Sequence, residues 1–154
     1  MADPVHDEPP RLPLRVRVFS PLLKALLQAG VPILWNRLVT IRGRTSGQPR
    51  TTPLAVIPAA GTFWVWAPWP GVQWARNLRA AGRATVTIRG RKQEMTATEL
   101  DAEQRVWFFR DVLGPFARRL PFGLAFIRLV DDVDISHPEQ VAPDRRVFEL
   151  RPLA

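Results

Sequence analysis

The chain has 154 residues, 46% of them hydrophobic and 23% charged, which fits one domain with a real core and excludes a disordered polymer. It has no cysteine and two histidines, His6 and His137, so a disulfide framework and a thiolate metal site are excluded and no ligand cluster suits a structural zinc. Its 22 basic and 14 acidic residues leave a net charge of +8, a surface that attracts polyanions: nucleic acid, acidic lipid headgroups or a phosphorylated small molecule.

Residues 1–13 are Pro-rich and aperiodic and are expected to form a flexible tail ahead of a single domain over 14–154. No basic n-region of a signal peptide precedes an apolar stretch. No run of about 18 apolar residues occurs. The expected location is therefore the cytoplasm. Ser20 to Gly30 reads as a helix, with Ser20 as cap, Pro21 in the first turn and Gly30 as stop. Its leucine stripe, Leu22, Leu23, Leu26 and Leu27, fits core packing. With Arg11, Arg15, Arg17 and Lys24 nearby it also fits weak peripheral contact with a membrane surface.

Short strands follow. Leu38 to Arg42 is one, and Thr51 to Ile57 a second, in which Pro53 marks an edge or bulge. After the turn Ala59-Ala60-Gly61, a third runs from Thr62 to Ala67, with Phe63 and Val65 on one face and Trp64 and Trp66 on the other. These three read as a meander. A helix is predicted over Val72 to Ala81, stopped by Gly82. Arg83 to Arg89 alternates as a strand, with Ala84, Val86 and Ile88 inward, and Gly90 turns it into a partner strand, Lys92 to Leu100. Asp101 and Gln104 have capping-box spacing for a helix running to about Leu113. Gly114-Pro115 should interrupt it before a second helical piece in Phe116 to Val130. Asp131 to Asp144 reads as loop and Arg146 to Leu150 as a closing strand. The sum is mainly β with some α: a small, mostly antiparallel barrel with flanking helices. Its exposed strand edges would permit a homodimer.

Two segments carry chemistry. In Arg42-Gly43-Arg44-Thr45-Ser46-Gly47-Gln48-Pro49-Arg50, a Gly-flanked turn, two hydroxyls and three arginines assemble the donors that a phosphate needs. Spacing alone slightly favours an ordinary basic hairpin loop, since Gly, Ser and Arg are common turn and surface residues, and the Gly-Lys-Ser/Thr ending of a Walker loop is missing. In Trp74-Ala75-Arg76-Asn77-Leu78-Arg79, preceded by Trp64, Trp66 and Trp69, aromatic side chains would wall a planar ligand. The competing reading makes Trp74 and Leu78 core anchors and Asn77 a satisfied buried amide. Asp131, Asp132 and Asp134 lack calcium-loop spacing, no catalytic Ser-His-Asp set can be built, and tyrosine is absent.

Gly43 to Leu54 (Gly-Arg-Thr-Ser-Gly-Gln-Pro-Arg-Thr-Thr-Pro-Leu) and Trp74 to Ala80 resemble the signature of the deazaflavin-dependent nitroreductase family, over about Val39 to Ala97, with a looser match at Val147 to Leu150. The resemblance implies a split, FMN-binding-like β-barrel that holds coenzyme F420. It implies an oxidoreductase passing a hydride from reduced F420 to a hydrophobic, electron-poor acceptor such as a quinone. By position, Arg44, Thr45, Ser46, Gly47 and Arg50 would hold the phosphate and acidic tail. Arg42 would compensate for Thr45 standing where family members often have lysine. Pro53 would lie along the ring system, Ala67 and Pro68 would approach it through the backbone, and Trp74 and Asn77 would fix the pocket wall. Trp69, Phe116, Phe122 and Phe126 would line the acceptor side. No catalytic residue is assigned and no metal is expected. Three alternatives stand beside this reading: FMN in the same barrel, a binding protein without turnover, and a single-strand nucleic-acid binder, the last of which is not expected.

Overall fold

A computed structural model describes residues 35–67, 70–120 and 136–153, together with Pro21 and Ala25, both helical. The rest of the Ser20 to Gly30 helix, the 1–13 tail, the helical piece expected beyond Leu120, and Pro68, Trp69, Phe122 and Phe126 lie outside the described residues.

Strand β1 (Asn36–Arg42) and β2 (Pro49–Ala55) form a hairpin in continuous register, from Arg42 opposite Pro49 to Asn36 opposite Ala55. Strand β3 (Ile57–Ala59) pairs with β4 (Thr62–Trp66) across Ala60-Gly61, both at positive φ (51° and 77°). Two left-handed residues give the turn whose twist matches that of the flanking strands. The same device, Arg89-Gly90 at 50° and 77°, joins β5 (Arg83–Ile88) to β6 (Arg91–Glu99). Strand β7 (Val147–Pro152) closes the set. All neighbours are antiparallel, and the order is β2-β1-β5-β6-β7-β4-β3.

This order corrects the expected meander. The predicted strand Thr51 to Ile57 is divided at Val56, leaving β2 at one edge of the sheet and β3 at the other. One residue spans a few ångströms, so the two edges must lie close together. Only a curled sheet, a split barrel, satisfies that. Pro53 sits on edge strand β2, where its missing N–H costs no ladder bond.

Helix α1 (Gln73–Ala81) links β4 to β5. Gly82, at φ 67°, ends it by donating its N–H to the Leu78 carbonyl. Helix α2 (Ala102–Trp107) starts at the predicted capping box, where Asp101 and Gln104 exchange side-chain bonds of 2.8 and 2.9 Å. The chain does not break at Gly114-Pro115. A π-helical turn (Phe108–Leu113) leads directly into α3 (Gly114–Arg118), and Gly114 N–H bonds five residues back to Phe109. Widening the turn accommodates the proline ring and its absent donor. The expected loop before β7 contains α4 (Pro138–Val141) and a 3₁₀ turn (Ala142–Asp144), with Pro138 and Pro143 in their first turns.

The alternation in β4 sorts two cores. Phe63 and Val65 join Val39, Ile41, Val86, Met95, Phe148 and Leu150 inside the barrel, with Ala75 and Leu78 of α1. Trp64 and Trp66 face the opposite layer, against Phe108, Phe109, Leu113 and Ala117. These two tryptophans are 3% and 7% exposed, so they are core and do not wall a ligand pocket. The Trp64 indole N–H is satisfied by the Ala59 carbonyl at 2.9 Å. Among the described residues no helix is long and apolar enough to cross a membrane.

Candidate functional site

The β1–β2 loop closes on itself. Gly43 N–H donates to Gln48 O (2.8 Å), Gly47 N–H to Gly43 O (2.9 Å), and Gln48 N–H to Ser46 Oγ (3.2 Å). A Cβ at Gly43 would stand 2.8 Å from Ser46 Oγ and 3.3 Å from Gln48 O, so a larger residue there would displace the Ser46 hydroxyl and press on the Gln48 carbonyl. Gly47 adopts φ +71°, a second position where a side chain is strained. Arg42 reaches across, with Nε donating to Gly47 O at 3.1 Å, and Arg50 Nε lies 3.4 Å from the Gly43 Cβ position. Three guanidinium groups therefore surround one short loop. Thr45 and Ser46, both exposed, have N–H groups with no acceptor among the described residues.

The two predicted segments meet directly. Asn77, 6% exposed and the only buried polar side chain among the described residues, accepts from Arg44 N–H (3.2 Å) and Arg44 Nη1 (2.8 Å) through one oxygen. Gln73, one turn earlier on α1, accepts from Arg44 Nη2 at 2.9 Å. Asn77 thus satisfies the buried-amide reading and also fixes an arginine of the loop. Trp74 is half-buried and packs on Phe148, ring centroids 6.3 Å apart, as a core anchor.

The remaining residues spread along the barrel. Pro53 is half-buried opposite Leu38, four positions from the loop end of the hairpin, which at the strand rise is about 13 Å. Phe116 meets Trp35 edge-on at 5.0 Å, just before β1 begins. A strip about 20 Å long therefore runs along β1 from a basic loop at one end to an aromatic pair at the other. Ala67, the residue after β4, packs inside the barrel, 2% exposed, and its N–H is taken by the Arg146 carbonyl at 2.8 Å.

A cleft of about 560 Å³ lies on the other side of α1, and no predicted site residue lines it. Its arginines, Arg79, Arg105 and Arg146, are matched by Glu99, Asp101 and Asp144. Glu99 bridges Arg79 (2.7 Å) and Arg146 (3.5 Å). That balance gives the cleft no net pull on an anion.

Sequence reasoning missed Gln73 and Trp35. It also missed a signal open to plain inspection: between Glu8 and Glu94 the chain has no carboxylate side chain. The β1–β2 loop and α1 both fall in that stretch. Unneutralised guanidinium groups, two hydroxyls and two unspent N–H groups are a donor set that fits a phosphate-bearing anionic cofactor.

The family model of F420H(2)-dependent quinone reductases matches residues 25–117, which include the loop and α1. No curated protein matches the chain in sequence. Among solved structures, a protein described as a domain-swapped dimer aligns with TM-score 0.54 and 20% identity over 85% of this chain and 95% of that one. HutZ, the heme storage protein of Vibrio cholerae, aligns with TM-score 0.53 and 15% identity over 87% and 89%. An F420-H2 dependent reductase, FDR-A, aligns with TM-score 0.49 and 20% identity over 77% and 95%. At these identities the first two likenesses speak for the split-barrel fold alone. The family match covers more than half of the chain: it belongs to the F420H(2)-dependent quinone reductases, oxidoreductases whose cofactor is the deazaflavin F420.

Proposed function

We propose that this chain passes a hydride from reduced F420 to a hydrophobic, electron-poor acceptor, a quinone being the best fit. The observation that carries the reading is the junction of Arg44 with Asn77, which ties both family motifs into one basic anchor. F420 supplies the hydride chemistry when bound; the chain's residues bind, orient and shelter. Arg42, Arg44 and Arg50, with Thr45, Ser46 and the Gly47 turn, would hold the phosphate and acidic tail. Pro53 would lie along the rings, Ala67 and Pro68 would approach them by backbone, and Trp74 with Asn77 would secure α1 behind the anchor. Phe116, with Trp69, Phe122 and Phe126, would give the acceptor side an apolar character suited to a quinone. A quinone that gains one hydride and one solvent proton leaves as a hydroquinone.

The test is tryptophan-fluorescence titration with oxidised F420, FMN in parallel, followed by turnover of a quinone panel with reduced F420. Saturable quenching by F420 and turnover of apolar quinones are expected. Binding of FMN alone, or turnover of small polar acceptors only, would sink the proposal. A lipophilic acceptor also gives purpose to peripheral membrane contact through Ser20 to Gly30. Failure to sediment with anionic vesicles at low salt removes that part. Sedimentation velocity decides the homodimer.

A further inference from the structure

Arg44 is held in an unusual way for an arginine at a helix. Its guanidinium has five N–H donors. Two are spent, one on Asn77 Oδ1 and one on Gln73 Oε1. Both acceptors are amide oxygens, which fix position and carry no charge. The two residues stand at i and i+4 on α1, so they present one rack on one face.

Position 73 is the first residue of α1, and the first turn of that helix has no acidic residue. A glutamate there would favour the helix N-terminus and form an ion pair with Arg44. Local electrostatics therefore favour Glu at a position where the chain has Gln. A departure from the locally better residue marks a site where something other than stability is served. Elsewhere in the same fold an arginine of α1 does take a carboxylate: Arg79 pairs with Glu99 at 2.7 Å.

We propose that Gln73 is a positioning residue: its neutral oxygen fixes the Arg44 guanidinium without neutralising it, so that the full charge is kept for the anionic part of a ligand. The proposal rests on reading the Arg44 loop as the cofactor's anion anchor. It adds a residue that the motif does not contain and a reason why it is an amide.

The test uses the full chain with Gln73→Glu and Gln73→Ala. Three quantities are read at low ionic strength: melting temperature, F420 affinity by fluorescence, and pyrophosphate affinity from its thermal stabilisation. Gln73→Glu is expected to raise the melting temperature by roughly 1–3 °C. It should weaken both ligands about tenfold, a loss that shrinks as salt is added. Gln73→Ala frees the guanidinium but leaves its charge, so only about a two- to threefold loss is expected. A purely structural residue would move stability and affinity in the same direction. Equal losses in the two variants, or wild-type affinity in Gln73→Glu, overturn the proposal. If F420 fails to bind while pyrophosphate follows the expected pattern, the device stands and the cofactor reading falls. If F420 binds and ignores Gln73→Glu, the cofactor reading stands and the device falls. Wild-type protein that binds neither overturns both.

Discussion

Helix α1 holds two arginine sites that look alike in sequence and differ in chemistry. On one side, Arg44 leans on Asn77 and Gln73, neutral partners in a stretch without carboxylates. On the other, Glu99 ties Arg79 to Arg146 and so ties α1 to the approach to β7. The first site holds an arginine ready to act; the second consumes its charge in holding the structure. A basic residue count of 22 therefore says little about binding until each partner is known.

Four substitutions break or sharpen that contrast. Arg44→Ala has the largest expected effect: it removes charge-assisted bonds and should cost F420 affinity about 10- to 150-fold. Unfolding stability should stay within about 0.5 kcal/mol, since Arg44 is exposed. Comparable loss of folding in a urea melt would move Arg44 to the structural side. Asn77→Ala should hurt both properties. It strips the Arg44 N–H of its acceptor and should destabilise by about 1–3 kcal/mol with roughly tenfold weaker binding. Glu99→Gln should do the reverse of Arg44→Ala. A loss of about 1 kcal/mol is expected, after discounting for Arg79 at 59% side-chain exposure. F420 affinity should change less than about twofold. A larger change would mean that the two sides of α1 are coupled. The smallest effect belongs to Asp111→Asn. The hydrogen bond from Arg110 holds the Asp111 carboxyl below its ordinary range, so that contribution exists at neutral pH and fades on acidification. Both side chains are exposed, 58% for Arg110 and 44% for Asp111, so solvent screens the pair and thermal melts across acidic pH should be indistinguishable from wild type.

The contrast also marks where the sequence was readable. Local chemistry came through: the alternation that sends Trp64 and Phe63 to different cores, the capping box at Asp101, and the stop at Gly82. These depend on neighbours a few residues apart. The division of Thr51 to Ile57 at Val56 was hidden, because nothing in a β-rich run says that its halves pair at opposite edges of one sheet. The π-helical turn was hidden for the same reason: Gly-Pro signals a break, and the packing of Phe108 from that turn on Trp64 and Trp66 of the sheet joins residues about forty positions apart. At the site, the residue types of both motifs were legible, and the Arg44–Asn77 contact between them was not. Gln73 went unnoticed because an exposed glutamine carries no periodicity and no charge.

The position of β7 bears on how this protein is made. Strands β4 and β3 reach the rest of the sheet only through β7, which lies between β6 and β4. During synthesis β1 to β6 all emerge before it. At about 5–20 residues per second, the chain between Glu99 and Val147 takes several seconds to appear. For that time β6 and β4 each present an unpaired edge to solvent, and the barrel cannot close. Conditions that slow translation through this interval should lower the yield of soluble protein more than a comparable delay after Pro152, because open strand edges are what misassembly and chaperones recognise.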